Sequence, residues 1–342
     1  AARLQRVASK VCQRILERTR FSETVVTRIV SKLTEDALVR QLRIKSELYK
    51  KNVVAVRESS PHVGDWAEAL PGDTAEVVAP HVSTLRDAGE PASALAPLHL
   101  ILFNSETDMP LYVQQGSDLL EHLRQIDTVA DIAVIQLLKN RLWNGTHAIV
   151  AWYAALLGYP SIGHAMGDAR VQALMDQLLD AELAPALAAQ FPELRTRLAE
   201  FIATFRNRCA HAFKDPCERV GRDPLRKLQR GERVLGSLAM AAAQGVAAPA
   251  LAFGAALAVH YALHHPPAAE EDECRTIRAL YARREALQDV LAWRGEYHGA
   301  PFDGLDPVAD AALLAAVQLP FDGLQAGGLD YCWESAAEAG VG

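Results

Sequence analysis

The order of apolar and polar positions divides the chain into three stretches. In residues 1–20 apolar side chains recur at helical spacing (Leu4, Val7, Val11, Ile15) among basic residues, which predicts an amphipathic helix. Phe21–Ser31 (FSETVVTRIVS) is β-branched and fits either a continuation of that helix or a strand. From Asn52 to about Val113 the pattern shortens to VVAV at 53–56, EVVA at 76–79 and LHLILF at 98–103, separated by turns containing Pro and Gly. LHLILF is the strongest strand candidate, because a continuous apolar run suits a strand covered on both faces.

From Thr128 onward almost every segment has helical spacing. Helices are expected over about 128–157, 161–189, 193–213, 224–245, 249–264, 270–294 and 307–318. Gly158 is placed to cap the first of these, and Asp223-Pro224 to start the fourth, since Asp caps free amides and Pro fits the first helical position. The tetrapeptide FDGL occurs at 302–305 and 321–324, two copies being too few for a repeat architecture. The fold class expected is mainly α: a smaller α+β segment over 1–125, then an all-α domain over 126–342.

Composition narrows the function classes. The chain has 342 residues, more than one hydrophobic core usually organises, and its 50% apolar and 23% charged residues suit a folded globular protein. A net charge of −7 gives no electrostatic reason to expect nucleic acid or an anionic membrane as partner, so small molecules are expected instead. The five cysteines (Cys12, Cys209, Cys217, Cys274, Cys332) form no CxxC and are odd in number, which fits a reducing cytoplasm better than a disulfide framework. No apolar run is long enough for a membrane span, the Ala-rich stretch Val246–Leu263 being interrupted by Pro249, Gly254 and His260. The first residue is Ala and helical spacing begins at once, which reads as the later part of something longer.

On the long helix at 128–157, Lys139, Asn144 and His147 advance by five and three residues. At about 100° per residue they fall at roughly 0°, 140° and 80°, on one face. A lysine, an amide and an imidazole converging from an otherwise apolar helix are costly unless they face a cavity or satisfy one another. On spacing alone a solvated Lys with a structural Asn–His pair is the plainer reading. Two other clusters carry less. His260, His264 and His265 include an i, i+4 pair without the Glu of H-E-x-x-H or an evident third ligand, so no metal is expected. Cys209 and Cys217 read as plain core.

Resemblance decides between these readings. KNRLWNGTHAIVAWYAALLGY (139–159) resembles the K-x4-N-x2-H segment of the mannitol dehydrogenase family of long-chain polyol dehydrogenases. KDPCERVGRDPLRKL (214–228) resembles the stretch typical of the mannitol-1-phosphate 5-dehydrogenases in it, with Arg233 following at the expected distance. FSETVVTRIVS is similar to the family signature around V-D-R-I-x-P/S, with Thr27 in place of the usual Asp and Ser31 at the last position. Two departures stand out. The family's R-F-x-N-P is replaced by Phe205-Arg206-Asn207-Arg208 followed by Cys209-Ala210-His211, and the segment from about Leu48 to Ala96 is longer than usual, with no functional account.

The resemblance implies the helical substrate domain of the family, of the 6-phosphogluconate-dehydrogenase-like C-terminal type. It implies Lys139 as the general base, Asn144 and His147 as hydrogen-bonding partners of the alkoxide, and Arg219 and Lys227 as residues holding the distal part of a polyol or sugar phosphate. NAD or NADP would be the cofactor, yet nothing reads G-x-G-x-x-G after a strand and before a helix, so the nucleotide-binding half is not evident and no cofactor-binding residue is assigned. Gly158, Gly163 and Gly167 have the wrong spacing and read as caps and a turn. A non-redox phosphosugar isomerase or epimerase and a non-catalytic binding subunit on the same helical domain remain as alternatives, and the oligomeric state is open.

Overall fold

The computed structural model describes residues 24–26, 30–32, 103–105, 111–115, 126–212, 215–266 and 272–331. The chain forms two compact units, Ala1–Ile132 and Ala133–Gly342. The expected helix over 1–20 and the strands at 53–56, 76–79 and most of 98–103 lie outside the described residues.

In the first unit FSETVVTRIVS resolves into strands: β1 (Thr24–Val26) and β2 (Val30–Lys32). β3 (Phe103–Ser105) takes up the end of LHLILF and pairs antiparallel with β2. β4 (Leu111–Gln114) lies between β1, to which it is antiparallel, and β5 (Ile126–Val129), to which it is parallel. A parallel pair cannot be joined by a hairpin and needs a crossover. Thr128 and Val129 are therefore strand, and the helix expected from 128 begins at Ile132. Gln114 marks the boundary: its Oε1 accepts the Ile132 amide at 2.8 Å and its Nε2 donates to the Ala130 carbonyl, satisfying backbone groups where strand gives way to helix.

The second unit is helical. α1 (Ile132–Leu138) runs into a π-helical turn at Lys139–Gly145 and on into α2 (Thr146–Leu156). α2 ends as expected: Gly158 has φ +87°, its amide bonds the Ala155 carbonyl, and the Tyr159 amide bonds that of Ala154, the paired bonds of a Schellman cap. The 161–189 region divides into α3 (Ile162–Ala165), α4 (Ala169–Asp176), a second π-turn (Gln177–Leu183) and α5 (Ala184–Gln190). α6 (Arg195–Asn207) continues into a third π-turn at Arg208–Ala212.

Asp223 caps a helix start, accepting the Arg226 amide at 3.1 Å, but that helix is short. α7 (Cys217–Gly221) and α8 (Pro224–Lys227) precede a turn through Gly231, and only then does α9 (Leu235–Ala243) begin. α10 (Pro249–His264) has the predicted bounds and is buried over nearly its whole length. The 270–294 region breaks into α11 (Asp272–Tyr281) and α12 (Leu287–Leu291), with Glu285 between them at φ +54°. A short hairpin, β6 (Glu296–Tyr297) with β7 (Ala300–Pro301), precedes α13 (Ala311–Gly327). α13 runs through Pro320, so the second FDGL is helical and the first is not: the copies are no structural repeat.

Close approaches fix the α1–α2 rod among its neighbours. A Cβ on Gly254 of α10 would stand 2.5 Å from Ile149 Cδ1, and one on Gly221 would stand 2.9 Å from Trp152 Cδ1. Trp152 Nε1 donates to the Gly221 carbonyl at 2.7 Å, and Trp143 Nε1 to that of Phe201 at 3.0 Å. At the far side of the core Glu182, fully buried, accepts the first free amides of α10, Ala250 at 2.7 Å and Leu251 at 2.8 Å. It is an N-cap supplied from a distant part of the sequence.

Candidate active site

Lys139 opens the first π-turn, Asn144 stands near its end, and His147 lies in the first turn of α2. A π-turn bonds residue i to i+5, so Lys139 and Asn144 are related as successive rungs of one face instead of lying roughly 140° apart as α-spacing gives. His147 follows at i+3 from Asn144, a neighbouring position on the surface of a helix. The π-spacing thus brings positions 139 and 144 closer in angle on a rod whose Leu138, Leu142, Ile149, Val150 and Trp152 are buried.

The surroundings are cationic. Burial lowers the Lys139 pKa from its ordinary value, and the Arg208 guanidinium lowers it further. Burial also lowers His147, to about 3, helped by the charges of Arg208, Arg219 and Lys227. Its imidazole is therefore neutral across the physiological range, one nitrogen able to donate and the other to accept. The ring meets Phe205 edge to face at 6.0 Å.

The two cations expected to hold distal substrate differ in setting. Lys227 is buried, 5.8 Å over the Trp152 ring, and its ammonium donates to the carbonyls of Arg222 and, at 3.5 Å, Asp223. Arg219 is half-exposed and paired with Asp215. Arg226 pairs with Asp223 at 2.5 Å while remaining substantially exposed.

Arg208 was not singled out from the sequence. It is 5% exposed, and its guanidinium sits 4.8 Å over the Trp143 ring. The signal was present: Phe201, Phe205 and Arg208 advance by four and three residues, so the arginine continues the apolar face of α6. Arg206, by contrast, is outward, bridging Asp176 and Asp180 at 2.6 Å each.

Elsewhere, the His260 and His264 rings lie 4.3 Å apart, and among the described residues no group of three or more His, Cys, Asp or Glu is arranged to hold a metal. Cys209 and Cys217 are free and buried, their thiols pushed up to about 12, primarily by burial. A groove of about 790 Å³ between α5 and α6, lined by Ala184, Ala188, Leu198, Ile202 and Arg206 among others, contains none of the predicted site residues. Among the described residues no helix is long and apolar enough to cross a membrane.

Residues 131–297 match the family described as the mannitol dehydrogenase C-terminal domain. The chain is 32% identical over 119 residues to a mannitol-1-phosphate 5-dehydrogenase of Aspergillus clavatus, covering 34% of this chain and 30% of that protein. It is 32% identical over 109 residues to the Aspergillus fumigatus enzyme of the same name, covering 32% and 28%. The matched segment therefore spans about a third or less of these relatives. Among solved structures it is similar to a Pseudomonas fluorescens mannitol 2-dehydrogenase in ternary complex with NAD and D-mannitol, with TM-score 0.52, 17% identity, and 67% of this chain and 46% of that one covered. It is similar also to a substrate-free D-sorbitol dehydrogenase, with TM-score 0.54, 16% identity, and 93% and 55% covered. These likenesses extend the agreement from sequence to fold, and residues 131–297 carry a helical unit that matches the mannitol dehydrogenase C-terminal domain.

Proposed function

We propose that this helical unit is the substrate-binding half of a cytoplasmic polyol or sugar-phosphate dehydrogenase of the mannitol 1-phosphate/fructose 6-phosphate class, with Lys139 as general base. The observation that carries the reading is the π-turn that spans Lys139 and Asn144, with the neutral His147 in the helical turn that follows it. Lys139, with its pKa lowered by burial and Arg208, takes the proton of the substrate hydroxyl. Asn144 and His147 donate hydrogen bonds to the alkoxide and the adjacent hydroxyl, a task for oriented neutral donors. Arg219 and Lys227 add positive charge toward the distal end of the substrate.

NAD or NADP, when bound, supplies the hydride acceptor. The sequence has no G-x-G-x-x-G turn, and the roles of Lys139, Asn144, His147, Arg219 and Lys227 are all toward the substrate. An isomerase using His147 as its acid fits less well, because an imidazole that protonates only near pH 3 has no proton to give at neutral pH.

The test is nucleotide-linked oxidation of mannitol 1-phosphate by the native protein and its Lys139→Ala variant. The variant is expected to lose about 10²- to 10⁴-fold in kcat, the range typical of a missing general base. An unchanged kcat sinks the assignment, and solvent-deuterium incorporation without nucleotide would favour the isomerase.

A further inference from the structure

Arg141 lies in the same π-turn as Lys139 and has no part in the scheme above. Its guanidinium reaches the turn between Gly231 and Gly236. A Cβ built on Gly236 would stand 2.7 Å from Arg141 Nη1 and equally close to the Gly231 carbonyl oxygen, so only glycine leaves this arginine its place. Nη1 is buried and, among the described residues, has no hydrogen-bond partner.

The charge balance around it is incomplete. Burial is the largest influence on the Arg141 guanidinium, and it disfavours the charge; Glu232 opposes it. The Glu232 carboxylate is already bonded to Arg233 Nε at 3.3 Å, and the Arg233 side chain is itself 16% exposed. Arg233 belongs to the same neighbourhood, since its carbonyl would stand 2.9 Å from a Cβ on Gly145, the last residue of the π-turn. Two desolvated guanidiniums therefore share Glu232, and although Asp223 also favours the charge on Arg233, Arg226 opposes it and Glu232 alone favours that on Arg141. A buried cation short of a counter-charge is costly to the fold and marks a place where an anion would repay it.

We propose that Arg141, with Arg233, forms a binding site for a phosphate ester beside the Lys139 turn. A phosphate dianion matches the planar fork of a guanidinium and neutralises the surplus charge while Glu232 keeps Arg233. The site is separate from Arg219, which is half-exposed on α7 and paired with Asp215. Its occupant is either the phosphate of a sugar phosphate or a phosphate of the dinucleotide. The inference does not require Lys139 to be a base, because binding of inorganic phosphate reads it directly.

The experiment is thermal unfolding of the whole chain, wild type, Arg141→Met and Arg141→Lys, with and without inorganic phosphate. Phosphate is expected to raise the wild-type Tm by several degrees and leave that of Arg141→Met unmoved, while Arg141→Met without phosphate melts at or above the wild type. Arg141→Lys, which keeps charge without the fork, is expected to bind at least tenfold more weakly. If Arg141→Met melts lower and still responds to phosphate, or if the wild type does not respond, the site does not exist. Calorimetry then separates the sources. A tenfold loss for mannitol 1-phosphate but not mannitol assigns the site to the sugar phosphate, a loss for NADH alone assigns it to the dinucleotide, and a loss for neither overturns the proposal. Lys139→Ala should retain the phosphate response, so failure of the dehydrogenase reading leaves this result interpretable.

Discussion

The Arg208 guanidinium lies 4.8 Å over the indole of Trp143, at the centre of the π-turn that begins with Lys139. The aromatic face holds a cation where its charge acts on both Lys139 and His147. Removing that charge raises the proton affinity of Lys139, so a larger share of the lysine is protonated at neutral pH and cannot act as base. Arg208→Met is therefore expected to move the acidic limb of the kcat/KM profile to higher pH, by up to about one unit. Arg208→Lys keeps the charge and should restore most of the profile. Burial of Lys139 remains in both variants, as does the action of Arg219 and Lys227 on His147, so the shift reports Arg208 alone. A profile that drops in height without moving along the pH axis would give Arg208 a packing role only.

Glu182 makes stability depend on pH. Burial raises its pKa from 4.5 to about 7, against the opposing pull of the Ala250 and Leu251 amides and Gln177. Between those two values the native chain binds more protons than the unfolded one, so stability falls as pH rises from 4.5 toward 7. The full loss is up to about 3 kcal/mol. Glu182→Gln should flatten this slope in denaturant titrations at several pH values. It should also lower stability at pH 5, because one amide oxygen replaces two carboxyl oxygens under two backbone donors. A slope unchanged by the substitution would exclude Glu182 as its source.

The crossing of α2 over α10 depends on Gly254. A methyl group there enters the space of Ile149, whose three branch carbons all lie within 2.9 Å of the added carbon. Gly254→Ala gains helix propensity of about 1 kcal/mol yet is expected to destabilise the fold by about 1–2 kcal/mol net, overpacking outweighing propensity. The double variant with Ile149→Ala should recover part of that loss. Thermal melts of the three chains decide it, and no loss in the single variant would show the crossing to be more yielding than its geometry.

Lys227 and Arg219 should separate in their effects. Lys227→Met strips two backbone carbonyls of a buried charged donor and is expected to cost about 1–3 kcal/mol of stability, with mannitol and mannitol 1-phosphate affected alike. Arg219→Ala breaks an exposed ion pair worth little to the fold. It is expected to weaken mannitol 1-phosphate selectively. If phosphosugar affinity survives Arg219→Ala, Arg219 has no distal-substrate role.

The sequence made the helical character of the second unit legible, along with details set by local chemistry: the bounds of α10, the glycine cap after α2, the Asp223 start. Each depends on residues within a turn of one another. The π-turns were not legible, because a search at 100° per residue absorbs an inserted residue as a slight phase error. The breaks at Gly231 and Glu285 were missed because the apolar spacing continues across them. Arg208 was missed because a charged residue on an apolar face reads as an interruption until its aromatic partner, 65 positions away in sequence, is known.

The π-turn at Lys139–Gly145 also constrains how the chain can change length. Deleting one residue between Lys139 and Asn144 would relax the turn to ordinary α-helix, a more regular backbone that local energetics favour. In that helix Asn144 would follow Lys139 at i+4 and His147 at i+7, both within about 40° of its meridian, so the polar face would outlast the irregularity. The residue the turn holds in excess is therefore one the rod can lose with its register intact, whereas a deletion elsewhere in the rod would swing everything beyond it by about 100°.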